Sequence, residues 1–189
     1  MMKNSRLLSV IAALSLSTLT LSGCAMQMNG MDMSSSESSE NSGFSGMDVM
    51  FAQMMIPHHQ QAVEMSSLAE SRSLNPEVLA IAAKIKAEQD PEIDQMRGWL
   101  QAAGAADAMD HSMGMDGMLT DSDMATLESS TGAEFDRLFL AGMILHHQGA
   151  IEMADMVVNS NNAEAAKLGA EIIKIQTSEI AELQTLLAN

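Results

Sequence analysis

Two thioethers and two imidazoles fall within six residues at Met54, Met55, His58 and His59, and the grouping returns later in the chain as Met143, His146 and His147. Thioether sulfur is a soft, neutral ligand that suits Cu(I) and needs no deprotonation, and imidazole joins it readily on copper. Unlike a thiolate, a thioether is not lost to disulfide formation outside the cytoplasm. The chain holds one cysteine, so metal chemistry in it must run on Met, His, Asp and Glu.

The two groupings are copies. FAQMMIPHHQQAVEM from Phe51 to Met65 lies over FLAGMILHHQGAIEM from Phe139 to Met153, and Asp48 matches Asp136 at the same offset. Further on, Gln89 to Ile93 (QDPEI) matches Gln176 to Ile180 (QTSEI) after a one-residue gap. A duplicated helix pair accounts for this, and two pairs predict an all-α, up-down four-helix bundle with pseudo-twofold symmetry.

Helical spacing then says which residues meet. At about 100° per residue, Phe51, Met55, His58, Ala62, Met65 and Ala69 share one line on the first helix, with His59 on its flank. Phe139, Met143, His146, Ala150, Met153 and Val157 repeat the line, with His147 on the flank. One histidine per copy is thus expected to point inward, with methionines one turn before and two turns after it. Such a stripe is ordinary core when it occurs once, because Met fills irregular gaps.

Methionine outside the helices argues for more. Met26, Met28, Met31, Met33, Met109, Met113, Met115, Met118 and Met124 lie in segments read as tether or loop, where Met adds no solubility and is prone to oxidation. Met109, His111, Met113, Met115 and Met118 could wrap one soft ion. The candidate ligands are therefore these five together with Met54, Met55, His58, His59, Met65, Met143, His146, His147 and Met153.

Other chemistries fit less well. A ferritin-like di-iron site needs Glu three residues before His, where this chain has Met55 and Met143. Glu64 and Glu152 should face solvent, and Glu92 and Glu179 are expected to make polar contacts to the histidines, with direct ligation the alternative. Zinc would leave the methionines unexplained. No Gly-rich phosphate loop, cysteine nucleophile or Ser-His-Asp set is apparent, so no enzyme activity is expected. A structural or protein-interaction role for a Met-rich surface, and a ferritin-like metalloenzyme, stay open as alternatives.

The doubled pattern F-x-x-x-M-I-x-H-H-Q-x-A-(V/I)-E-M, with Gly132 to Asp136 (GAEFD) before its second copy, resembles a bacterial family of exported four-helix-bundle proteins that includes a periplasmic copper-binding member. The resemblance covers about residues 46–188. It implies a ferritin-like bundle and copper binding through the Met and His residues of both copies. Gly142 stands where the first copy has Met54, so the second copy is a different site if Met54 is a ligand.

Elsewhere the sequence sets limits. With 25 acidic and 9 basic residues the formal net charge is -16, and aromatics make up 3% of the chain, which excludes nucleic acid as a partner. Lys3 and Arg6, an apolar run and Leu21-Ser22-Gly23-Cys24 read as an export signal, residues 1–23. The last four resemble a lipobox, implying lipid attachment at Cys24 and a membrane contact through that anchor alone. Residues 24–46 are expected to be a disordered tether and 47–188 the bundle, with a Met-rich loop at 104–120. Helices are expected near 47–72, 76–102, 132–159 and 163–188, with a short one near 121–127. Pro57 and Pro91 should kink or break theirs. Asn75-Pro76 and Thr131-Gly132-Ala133-Glu134 read as helix starts, the latter as a capping box. The expected role is to hold Cu(I), with Ag(I) as a mimic and Cu(II) as a further ligand, for sequestration or transfer to a copper transporter or oxidase.

Overall fold

The computed structural model describes residues 43–107 and 115–189. Cys24, Met109, His111 and Met113, with the signal and most of the tether, lie outside the described residues.

Among the described residues five helices follow one another: α1 (Gly46–Arg72), α2 (Pro76–Ala103), α3 (Asp121–Ser129), α4 (Gly132–Ala154) and α5 (Ala163–Leu187). α1 packs along α2 and α4 along α5, so each sequence copy is a helical hairpin, and α1 meets α4 across the core. The expected all-α bundle is what forms. The short α3 lies between the hairpins and contributes Leu127 to the core.

Local chemistry explains most of the boundaries. Ser45 and Asp48 form a capping box at the start of α1, and Thr120 and Asp123 form another on α3. The Asn75 side chain accepts from the Glu77 N–H, with Pro76 in the first turn. Asn162 caps α5 in the same way.

Four expectations need correction. Thr131 makes no side-chain cap on α4: the backbone is left-handed at Gly132 (φ 60°), and Glu134, which would close the box, pairs with Arg137 at 2.7 Å. Of the two outcomes expected at Pro57 and Pro91, a break does not occur: α1 and α2 continue through them, since each proline removes a single backbone donor from a long helix. α4 stops at Ala154, where the backbone bonds tighten to the three-residue pattern Met156 N–H to Met153 O and Val157 N–H to Ala154 O. The end of the tether is packed: Phe44 is buried and stacks on Trp99 at 5.2 Å, and Asn162 donates to the Gly43 carbonyl.

Two apolar clusters fill the bundle. One gathers Phe51, Met55, Ile93, Met96, Met153 and Leu168, and the other Met65, Ile81, Ile85, Phe139, Met143 and Leu183. Residues early on α1 share a cluster with residues late on α4, so these two helices run antiparallel. Full burial of side chains such as Phe51 and Phe139 contributes roughly 1.5–3 kcal/mol each. Along every long helix the two clusters are separated by the same thing: a short polar interval.

Candidate functional site

That interval is a polar layer in mid-bundle. α1 gives it His58 and His59, α2 gives Gln89 and Glu92, α4 gives His146 and His147, and α5 gives Gln176 and Glu179. All four imidazoles have no exposed surface. The expectation of one inward histidine per copy is therefore corrected: the flank that carries His59 or His147 is covered by the second helix of its own hairpin, which receives it with a carboxylate.

The contacts repeat with the symmetry. His59 Nε2 lies 2.8 Å from Glu92 Oε2, and His147 Nε2 lies 2.9 Å from Glu179 Oε2. His58 and His146 meet at the centre, ring centroids 3.7 Å apart and planes inclined by 40°. His58 Nε2 is 3.3 Å from the backbone carbonyl of Asp116. Among the described residues the Nδ1 atoms of His58, His59 and His147 are without hydrogen-bond partners, and His146 has no side-chain partner on either nitrogen, only an approach to the His58 backbone.

Buried polar atoms without partners cost about 1–3 kcal/mol each, so a native core rarely gathers several in one place. The layer holds more of them in the Gln89 amide and Gln176 Oε1. The sequence signal for Gln89 and Gln176 was the second repeated pattern, which they begin; their burial in this layer was not anticipated. Glu64 and Glu152 are exposed, as expected.

Burial dominates the electrostatics. It pushes His58 down to about 3, with the neighbouring His59 and His147 adding to the shift and the Asp116 carbonyl opposing it. His146 is held well below the usual histidine range by burial first and by the other three histidines second. Both central rings are therefore neutral at pH 7, the form that binds metals. Burial works against ionisation of Glu179, but its hydrogen bonds with His147 and Glu88 and the nearby Lys84 charge prevail and lower the pKa. Glu88, beside Glu179, is pushed up to about 7 by burial and by that carboxylate.

Methionines bracket the layer. Met55 and Met153 belong to the apolar cluster on one side, Met65 and Met143 to the cluster on the other, all four buried. Met54 is half-buried against the first cluster. Among the described residues no three His, Cys, Asp or Glu side chains converge as a metal site.

Residues 115–119 form a strap over the layer, and here the expectation of a loop with no core role fails. Gln61 clasps Leu119 twice, donating to its carbonyl at 3.0 Å and accepting from its N–H at 2.8 Å. A Cβ on Gly149 would lie 2.0 Å from the Asp116 carbonyl oxygen, and one on Gly142 would meet Leu119 and Met65 at 3.2–3.3 Å. Gly149 occupies the position of Gln61, and Gly142 that of Met54, in the other copy. The copies differ at these two places because one strap crosses both hairpins. Met115 and Met118 ride on it half-buried, and Met118 lines a groove of about 690 Å³ between the strap, α3 and α4 that no histidine lines.

Comparison with known proteins places this arrangement. Residues 48–187 match the family model described as a domain of unknown function, DUF305. No functionally curated protein matches the chain. A DUF305 protein from Streptomyces coelicolor, described as secreted, superposes with a TM-score of 0.71 at 33% identity over 75% of this chain and 92% of that one. A DUF305 fragment from Deinococcus radiodurans gives 0.71 at 28% identity, covering 76% of this chain and 97% of the other. CopM in its Cu(I)-bound form gives 0.62 at 32% identity, covering 73% and 93%, and its Cu(II)-bound, silver-bound and apo forms match similarly.

Proposed function

We propose that this chain, which belongs to the DUF305 family, is an extracytoplasmic copper-binding protein that holds Cu(I) through the Met and His residues of its two copies. It sequesters the ion or passes it to a copper transporter or oxidase, and it is a binding protein rather than an enzyme. The observation that carries this reading is the central layer: four buried imidazoles with unpartnered ring nitrogens, bracketed by Met55 and Met153 on one side and Met65 and Met143 on the other.

Chemistry supports copper over harder ions. The layer's hydrogen-bonded carboxylates are committed to His59 and His147, leaving neutral nitrogen and sulfur donors, which favour Cu(I) and Ag(I). CopM, at 32% identity, has been crystallised with Cu(I), and at 33% with Cu(II). No described helix is long and apolar enough to cross a membrane; the membrane contact in this reading is a lipid on Cys24, at the end of the lipobox-like Leu21-Ser22-Gly23-Cys24.

The test is the double variant His58→Ala/His146→Ala. Its Cu(I) stoichiometry or affinity should fall while helical circular dichroism persists; undiminished binding by a folded variant would remove the site from the bundle.

A further inference from the structure

The layer's hydrogen bonds all address the same ring atom. Asp116 presents a backbone carbonyl to His58 Nε2, and a carbonyl oxygen can only accept. Glu92 and Glu179 present carboxylate oxygens to His59 Nε2 and His147 Nε2. In each ring the other nitrogen, Nδ1, is buried and has no partner.

We infer that Glu92, Glu179 and the Asp116 carbonyl are positioning groups that fix His59, His147 and His58 as Nε2–H tautomers, so that the metal is taken through Nδ1. The inference deepens the copper reading and rests on it for the identity of the ion, but the tautomers follow from the hydrogen bonds alone. A proton on Nδ1 would be a buried donor without an acceptor, costing about 1–3 kcal/mol. A proton on Nε2 is satisfied in all three rings. What remains on Nδ1 is a lone pair, which is what a metal requires.

The three ties are not equivalent by descent. Glu92 and Glu179 are matched positions of the duplication, whereas Asp116 belongs to the strap, which is not duplicated. His146 accordingly lacks a counterpart of the Asp116 tie; what approaches it is the His58 backbone. Glu179 is itself braced, with Lys84 Nζ 3.6 Å from its Oε1. Glu92 is partly open to solvent, its side chain 14% exposed against 1% for Glu179. The His147 tie is thus the drier of the two.

Imidazole nitrogen NMR on the purified metal-free protein near neutral pH tests the assignment directly. The expected result is a proton on Nε2 and none on Nδ1 in His58, His59 and His147; a proton on Nδ1 in these rings would overturn it, whatever the protein binds. The second arm compares Glu92 and Glu179 variants for Cu(I) affinity. Glu→Leu at either position should lower affinity about 10–100-fold, and Glu→Gln, which keeps an acceptor oxygen for Nε2–H, should restore most of it. Equal loss in Gln and Leu variants that keep their helical circular dichroism would contradict a positioning role. Nε2–H tautomers in a parent protein that takes up no Cu(I) would sink the copper reading and leave the tautomer assignment standing.

Discussion

His58 and His146 lie ring against ring, centroids 3.7 Å apart, at equivalent positions of the two halves of a duplicated chain. Duplication therefore does more than double the helices. It brings one residue of each copy onto the local symmetry axis, where a single pair of neutral imidazoles faces two pairs of methionines.

The pH dependence of stability follows from that burial. His58 has a folded pKa of about 3 against an ordinary value of 6.5, and His146 is shifted the same way. A lowered folded pKa means that, between pH 6.5 and 3, the unfolded chain binds protons that the folded chain refuses. Stability is present above 6.5 and is lost as pH falls. Glu179, also lowered, acts in the same direction further down, while Glu88, raised to about 7 from 4.5, opposes it between those pH values as one half-buried group against two fully buried rings. Urea unfolding of the metal-free protein at pH 5 should show a stability lower than at pH 7, with His58 contributing on the order of 2 kcal/mol. An unchanged midpoint would mean that the central rings are hydrated or protonated in the fold.

The strap makes a packing prediction. Gly149→Ala would drive a Cβ into the Asp116 carbonyl and should destabilise the protein by about 1–3 kcal/mol. Gly98→Ala is the control: nothing lies within 4 Å of its Cβ position, and in the middle of α2 the exchange should stabilise by about 0.5–1 kcal/mol. Thermal melts of the two variants should shift in opposite directions.

Metal linkage separates the copper reading from a purely structural Met/His core. A ligand that binds the native state raises the melting temperature by mass action, about 2.7 kcal/mol at a free concentration of 100 times Kd. Cu(I) should therefore raise Tm and Zn(II) should do so much less. No shift with Cu(I) would favour the structural or interaction role.

The loop methionines are tested by a deletion that leaves the strap in place. Removing 109–118 would tear out the Asp116 and Gly117 contacts to His58 and Gly149. Deleting 109–114, which carries Met109, His111 and Met113, spares the strap; it should lower the copper bound per chain without changing the helical signal. Full retention of stoichiometry would confine copper to the bundle and strap.

Much of the fold was legible because duplication and caps are local features. The repeats around His58 and His146 placed the helices, and Asn75-Pro76 marked where α2 begins. The flank histidines were misjudged because a single helical line refers to one core direction, whereas α1 is also covered by α2 and α4 by α5. The capping box at Thr131 failed because the chain enters α4 through a left-handed Gly132 and Glu134 had a partner in Arg137. The strap had a signal that went unread: Gly142 and Gly149 replace Met54 and Gln61, and a small residue in one copy alone marks something that touches one copy alone. Gln89 and Gln176 were visible as a matched pair, but burial of an amide cannot be read from its spacing.

The most direct measurement is an anaerobic competition titration of the purified protein with Cu(I) under reducing conditions against a chromogenic Cu(I) chelator, with Zn(II) and Fe(II) as controls. The account predicts tight, stoichiometric uptake of Cu(I) and little of the other two. Failure to draw Cu(I) from the chelator would contradict it and leave the histidine layer as core packing.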